Sequence, residues 1–405
     1  MSLAARDTAE AVARASYGRL VAYLASRSQD IAAAEDALGE AFRAALETWP
    51  RDGVPAVPEA WLLTTARRRL MDGARRAQVR SAAASTLKLL AEETAEPMEF
   101  PDERLKLLFV CAHPAIDAGS RTPLMLQTVL GLDAVRIASA FLVAPGAMGQ
   151  RLVRAKAKIR DAGVSFRVPE PAELPERLEC VLEAIYAAYG SGWDDLASAD
   201  PRRSELAEEA IWLAGLVTDL LPREPEALGL LALVLHCEAR RAARRGRSGA
   251  YVPLDAQDTA LWSRELIGQA EAALSRASSF GRIGRFQLEA AIQSVHAQRA
   301  TTGRTEWPAI ITLYGGLLRQ APTLGACIGH AAALAQAEGP VAGLTALDAI
   351  DADAASNYQP YWAARAHLLA ALGERKAAQA AYARAIGLSE DATVRAFLQA
   401  RLRRA

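Results

Sequence analysis

Apolar residues recur along this chain at steps of three and four, the spacing of one face of a helix. No alternating run bounded by hairpin dipeptides interrupts them, so an all-α fold is expected. Between residues 11 and 80 the pattern predicts closely spaced helices. Val12, Leu20 and Leu24 mark the first, and Ile31, Leu38, Ala41, Phe42 and Ala45 mark the second, over 31–47. Trp49-Pro50 is expected to end that helix, with a loop at Asp52-Gly53-Val54-Pro55. Pro58 suits the first turn of a third helix, whose inner side holds Leu62, Leu63, Ala66, Leu70 and Ala74.

Residues 81–100 pass from a Ser/Ala stretch into the acidic run Glu92–Pro97 and read as a flexible linker. Four short helical pieces are expected over 101–162. Pro169, Pro171 and Pro175 mark a second linker, stiffened toward polyproline II. Helices then follow one another to the end, broken at Gly190–Gly192, Pro222–Pro225, Gly246–Pro253 and Gly281–Gly284. The segment Tyr361–Ala385 looks like a tetratricopeptide repeat, with Trp362, Gly373, Ala378, Tyr382 and Ala385 at that motif's spacings. Tyr314 lies two periods of 34 earlier, and the middle copy, centred on Gly339-Pro340, has Asp348 at the tyrosine position. The expected division is 1–80, a linker at 81–100, 101–165, a linker at 166–177, a helical domain at 178–285 and repeats at 286–405.

Composition adds little until charge is read locally. Lys plus Arg and Asp plus Glu both number 47, so the whole chain is neutral. Yet Arg67, Arg68, Arg69, Arg75, Arg76 and Arg80 stand against the single acid Asp72, and Arg151, Arg154, Lys156, Lys158 and Arg160 against none within 151–160. Two short basic stretches in a neutral chain suggest two phosphate-facing surfaces. Cys111, Cys180, Cys237 and Cys327 are widely spaced, which suits reduced thiols in a cytoplasmic protein. The polar start reads as no signal peptide, the longest apolar stretch, near Leu228–Leu235, is too short to span a bilayer, and no membrane partner is expected.

Three constellations carry the candidate chemistry. Asp36, Glu40, Arg43 and Glu47 share one face of the second helix, either a solvated face held by local ion pairs or a docking face for a protein. Trp61 with the arginine cluster suits unpaired bases and phosphates, although a lone Trp is more often core. Leu132–Ala138, capped by Asp133, a turn at Phe141–Gly146 and the basic helix Ala147–Ile159 read as a helix-turn-helix. Ile137, Met148, Leu152 and Ile159 face inward there, and Gly146, Gln150, Arg151 and Arg154 outward; an ordinary helical hairpin is the plain alternative. Gly281-Arg-Ile-Gly284 follows no strand and is no nucleotide loop, and the five histidines never pair at metal-ligand spacing. No cofactor is expected, and no enzyme.

Tyr17–Val21, Ala34–Phe42 and Ala60–Arg67 resemble domain 2 of the extracytoplasmic-function sigma factors of the sigma-70 family, and Gln150–Lys156 resembles the end of their domain 4 helix-turn-helix. Phe109–Ala115, Gly229–Leu233, Asp255–Asp258 and Leu288–Ile292 resemble a subgroup with a long helical and tetratricopeptide C-terminal extension. The resemblance implies a promoter-specificity subunit of RNA polymerase. Asp36, Gly39, Glu40 and Arg43 would bind the β′ clamp helices of core polymerase, with the β flap as a second contact. Trp61, Arg67, Arg68, Arg69, Arg75 and Arg76 would serve the −10 element of promoter DNA. Gly146, Gln150, Arg151, Arg154, Lys156 and Lys158 would serve the −35 element. Residues 81–100 would thread the RNA-exit path, and the extension would control activity and bind a protein or peptide. Gly39, Arg68 and Arg136 depart from the family's usual glutamine, asparagine and glutamate. The rival readings are a conventional helix-turn-helix regulator with a repeat-type sensor domain, which needs only one DNA-reading module, and a repeat scaffold with no DNA role.

Overall fold

A computed structural model describes residues 3–78, 102–141, 143–170, 172–194, 201–246, 249–389 and 391–404. Among them every regular element is helical, apart from one isolated bridge between Arg245 and Tyr251, so the fold is all-α. The chain divides into two compact units, Met1–Ser191 and Gly192–Ala405.

The first unit begins with α1 (Leu3–Ser28), α2 (Ile31–Asp52) and α3 (Pro58–Gln78), which pack on one another. Asp30 caps α2 by accepting from the Ala33 N–H at 3.1 Å. Ile31, Ala34, Leu38, Ala41, Ala45 and Trp49 form its buried stripe. Leu62, Leu63, Ala66 and Leu70 of α3 are buried as their spacing predicts. Trp49-Pro50 does not end α2. Pro50 sits within the last turn, and the helix stops at Gly53, whose φ of 88° reverses the chain while its N–H donates to Trp49 O at 3.1 Å. A proline this close to a C-terminus forfeits a single helical bond, which the last turn tolerates.

The unit continues with α4 (Arg104–Cys111), α5 (Ala118–Leu130), α6 (Ala134–Ala140), α7 (Pro145–Asp161) and α8 (Leu174–Asp194). The Arg136 N–H donates to Asp133 Oδ1 at 2.8 Å, the expected cap of α6. The expected turn at 141–146 is shorter, because Pro145, with φ preset for a helix, opens α7. The proline segment is not extended throughout. The Glu173 and Leu174 N–H groups both donate to Glu170 O at 2.9 Å, and Pro175 lies inside the first turn of α8. That helix runs on through Gly190–Gly192 without a break. It packs into the first unit: Thr122 Oγ1 donates to Ala184 O at 2.8 Å, and Arg177 Nη2 to Phe109 O at 2.8 Å. The segment 81–100 lies outside the described residues.

The second unit begins with α9 (Pro201–Leu220) and α10 (Pro225–Glu238); α10 packs on α11 (Arg264–Ser278) and α12 (Arg285–Ala297). Gly229 lets α10 and α12 approach until an added Cβ would lie 2.7 Å from Gln287 N. The Glu226 carboxylate then caps α12, accepting from the Phe286 and Gln287 N–H groups at 2.9 and 3.2 Å. Gly284 leaves the space for that carboxylate. After α13 (Arg299–Thr302) come α14 (Trp307–Gln320), α15 (Leu324–Glu338), α16 (Pro340–Asp348), α17 (Ala352–Ala355), α18 (Gln359–Ala371), α19 (Arg375–Leu388) and α20 (Ala392–Leu402). Helices α15/α16 and α18/α19 pair through turns at Gly339 (φ 101°) and Gly373 (φ 80°). Ala378, Tyr382 and Ala385 are buried in one cluster with Trp362 packed against it. Asp348, at the tyrosine position of the middle copy, pairs with Arg365.

His236 of α10 is only 1% exposed; neither ring nitrogen has a hydrogen-bond partner, and the Glu271 carboxylate lies 3.5 Å from Nε2. Burial, with Arg240 adding repulsion, pushes its pKa down from 6.5 to about 4. The folded state therefore binds this proton more weakly than the unfolded chain. Its stabilising contribution is complete above pH 6.5 and is lost as pH falls toward 4. At about 1.4 kcal/mol per pH unit the loss is roughly 3 kcal/mol. The unfolding temperature of the second unit should drop over that window, and His236→Leu should reduce the slope but not remove it, because burial pushes His296 down to about 4 as well; an unchanged slope would contradict the assignment.

Candidate nucleic-acid and polymerase interface

The exposed side of α2 carries Asp36, Gly39, Glu40, Arg43 and Glu47, opposite the stripe that buries Leu38 and Ala45. Arg43 bridges Glu40 at 2.5 Å and Glu47 at 3.4 Å. The Arg43 hydrogen bond, with Arg69 of α3 adding charge, holds the Glu40 carboxyl below the ordinary carboxylate range. No atom lies within 4 Å of the Cβ that Gly39 lacks, so this face is smooth and open. It is thus both ion-paired along the helix and accessible to a partner.

On α3 the six expected contacts part company. Trp61 is half-buried and meets the buried Trp49 edge-on, ring centroids 5.6 Å apart. It is part of the packing between α2 and α3 and keeps only part of its ring in solvent. Arg67 is buried on the inner side, between Ala66 and the outward pair Arg68 and Arg69. The helical period carried the signal: Arg67 lies four residues after Leu63 and three before Leu70, on the face that they bury. The side chains of Arg75 and Arg76 lie outside those described.

The helices expected to form a helix-turn-helix are α6 and α7, which pack on each other and on α5. Ile137, Met148, Leu152 and Ile159 are all buried at its centre. Gly146, Gln150, Arg154 and Lys158 are exposed. Arg151 is half-buried, its guanidinium turned toward Gly119 O at 3.4 Å, at the start of α5. With Arg154 and Lys158 it lines a cleft of about 300 Å³ beside Ile116, Asp117 and Ser120. Arg151 and Lys158 in this cleft suit a backbone phosphate, while Arg154, exposed, can also reach a base edge.

Lys156 departs most from expectation. It does not face solvent; it pairs with Glu35 of α2, the two side chains only 11% and 13% exposed. Arg160 pairs with Asp30 across the same packing at 4.0 Å, and Arg27 of α1 pairs with Glu103, just before α4, at 4.0 Å. Beside them α1 lies on the end of α5. A Cβ on Gly18 would collide with the Val129 carbonyl, its carbon only 2.7 Å away, and one on Gly131 would lie 2.8 Å from the Tyr17 ring. Gly131, at φ 71°, ends α5 in the left-handed conformation that leaves room for that ring. Burial raises the pKa of both Tyr17 and Glu35, with Lys156 acting against it at Glu35. Cys111 sits behind this seam with Sγ 3.3 Å from Thr128 Oγ1, its pKa raised by burial to about 12. Residues Tyr17, Gly18, Glu35, Val129 and Gly131 were not singled out by sequence as contacts; a glycine within a helix and one just after a helix were the available signals.

Residues 13–80 match the family Sigma-70 region 2. Residues 177–278 match a family of unknown function, DUF6596. Over 394 residues the chain is 37% identical to "Uncharacterized protein R00370" of Rhizobium meliloti (strain 1021), covering 95% of this chain and 92% of that protein. No solved structure matches. Among the described residues no helix is long and apolar enough to cross a membrane.

The geometry of α3 separates two roles for its arginines. Arg67→Ala should lower stability by roughly 1–3 kcal/mol, because it removes a buried, partnered group. Arg68→Ala with Arg69→Ala should stay within about 0.5 kcal/mol of wild type. Chemical denaturation of the three proteins checks this, and equal losses would contradict the orientation of the helix.

Proposed function

The chain belongs to the same family as the Rhizobium meliloti protein and carries a Sigma-70 region 2 at residues 13–80, and we propose that it is an extracytoplasmic-function-type sigma factor. In this reading it binds core RNA polymerase and directs it to promoters. The observation that carries the proposal is the region 2 match falling on α1–α3, with the charged face of α2 left open. Asp36, Gly39, Glu40 and Arg43 would meet the β′ clamp helices. Arg68 and Arg69 would hold phosphates near the −10 element, with the exposed part of Trp61 beside an unpaired base.

The helix-turn-helix would read the −35 element through Gly146, Gln150 and Arg154 at the open start of α7. The start of a recognition helix is the part that usually reaches base edges. Arg151 and Lys158 would hold phosphate in the cleft beside α5. The second unit would regulate initiation through a protein or peptide bound on its helix pairs, a tetratricopeptide-like surface suited to such ligands. Its role is tested by ending the chain at Asp194 rather than within the proline segment, since α8 packs into the first unit. A change in initiation supports regulation, and equal yield opposes it.

Charge reversal tests polymerase binding. Glu40→Arg combined with Arg43→Glu should weaken co-elution with core at least tenfold while leaving the helical circular dichroism unchanged; undiminished co-elution would refute the docking face. Arg154→Ala should cost roughly 1–3 kcal/mol of discrimination at one −35 position, whereas Lys158→Ala should weaken binding evenly across sequences. Binding titrations on promoter variants separate the two. Tight, specific DNA binding without core would favour a conventional regulator instead.

A further inference from the structure

We propose that the second unit binds a short free peptide with apolar side chains, in a cleft between the loop after α10 and the helices α18 to α20. The inference gives a place and a ligand class to the ligand-controlled second unit proposed above, and rests on that reading for its regulatory meaning alone. The cleft encloses about 650 Å³. A dipeptide or tripeptide fits at that size, since pockets for small ligands span roughly 300–1,000 Å³. Arg244 and Tyr251 stand on one wall, within the stretch that matches the family of unknown function. Tyr358, Leu388, Asp391 and Phe397 stand on the other, beyond the end of that match.

The two walls are joined across a long gap in sequence. Arg245 Nη1 donates to Gly249 O at 2.8 Å and to Thr393 Oγ1 at 3.2 Å. The Gly246 N–H donates to Ala250 O and the Val252 N–H to Arg244 O, both at 2.9 Å, which shapes the loop around the bridge between Arg245 and Tyr251. Tyr251 meets Phe397 edge-on, ring centroids 5.4 Å apart. The rings and Leu388 supply an apolar lining, and Arg244 and Asp391 add one charge of each sign. Asp391 caps α20 through a single oxygen: Oδ1 accepts from the Thr393 and Val394 N–H groups at 2.7 and 3.2 Å and from the Thr393 hydroxyl at 2.9 Å. Burial raises the pKa of Tyr251, with Arg244 acting against it and Asp255 and Asp391 adding to it, so this hydroxyl lies in the field of both cleft charges. Such a lining selects its ligand. A simple anion meets Asp391, a simple cation meets Arg244, and a neutral apolar molecule desolvates both charges without pairing either. A zwitterion with an apolar body satisfies all three surfaces, its carboxylate on the Arg244 guanidinium and its ammonium on Asp391. The five donors of an arginine allow it to hold a ligand carboxylate beside its contacts within the protein. A free apolar peptide has this pattern of charges at its ends and bulk between them. Because each part of the unit contributes a wall, an occupied cleft ties the loop to the last helices.

Titration calorimetry and thermal unfolding of the full-length protein with the dipeptide phenylalanyl-leucine test the site without polymerase or DNA. The free dipeptide should bind as a single molecule per chain and raise the unfolding temperature, as a ligand of the native state does. Its N-acetyl and C-amide forms should each bind at least about tenfold more weakly, having lost one charge-assisted contact. Arg244→Gln should bind the free and amidated forms alike. Asp391→Asn, which preserves a capping side chain, should bind the free and acetylated forms alike. The capped peptides read the site in wild type, so a variant that fails to fold leaves the test standing. No binding of the free dipeptide, equal binding of all three forms, or unchanged selectivity in both folded variants would each overturn the site. Binding as expected supports the site whether or not run-off transcription responds to the dipeptide; an absent response overturns only the regulatory reading of the second unit, and absent binding leaves the sigma-factor reading standing.

Discussion

The contact between Gly18 of α1 and the Val129 carbonyl of α5 is the constraint on which the first unit depends. Helices meet at this distance only where a side chain is missing, and the rest of the seam follows from that approach. The Tyr17 ring is carried over Gly131, α5 is fixed against α1, and α7, seated on α5, brings Lys156 to Glu35. The same approach leaves the outer face of α2 and the start of α7 in solvent. One backbone contact therefore decides which candidate binding surfaces are open and which cation is buried.

The second unit uses small residues for a different end. Gly229 brings α10 against α12 so that Glu226 caps the latter, and Gly329 accepts the Tyr314 ring between α14 and α15. Alanines fill the pair interiors, as Ala331, Ala378, Ala381 and Ala385 do. Such pairs cover one another's apolar sides and need their neighbours for stability. The buried polar groups here, His236, Arg240 and Gln287, sit within helix packing: Arg240 Nη2 donates to Gln293 Oε1 at 2.5 Å, and Gln287 Nε2 donates to Glu226 at 3.0 Å.

The helices were legible because burial on a helix follows its period. Leu62, Leu63, Ala66 and Leu70, or Ile137, Met148, Leu152 and Ile159, fall on inner faces by spacing alone. What spacing does not encode is the partner across the fold. Lys156 looked like one more cation in a basic helix because Glu35 is 121 residues away in sequence. Arg67 resembles its neighbours in charge, although its spacing from Leu63 and Leu70 already puts it on their buried face. Pro50 marks a stop by residue type, although its helix runs on to Asp52. Pro175 suits a linker by composition, yet proline suits a first turn equally well, and it lies in the first turn of α8.

In the proposed role this chain gives core polymerase a promoter preference. Sequencing the 5′ ends of transcripts made on fragmented genomic DNA by core polymerase, with and without the full-length protein, reads that preference. The expected result is a discrete set of new start sites that share upstream elements at a fixed separation and appear only when the protein is present. Identical 5′ ends in the two reactions, from protein shown to be folded, would contradict it.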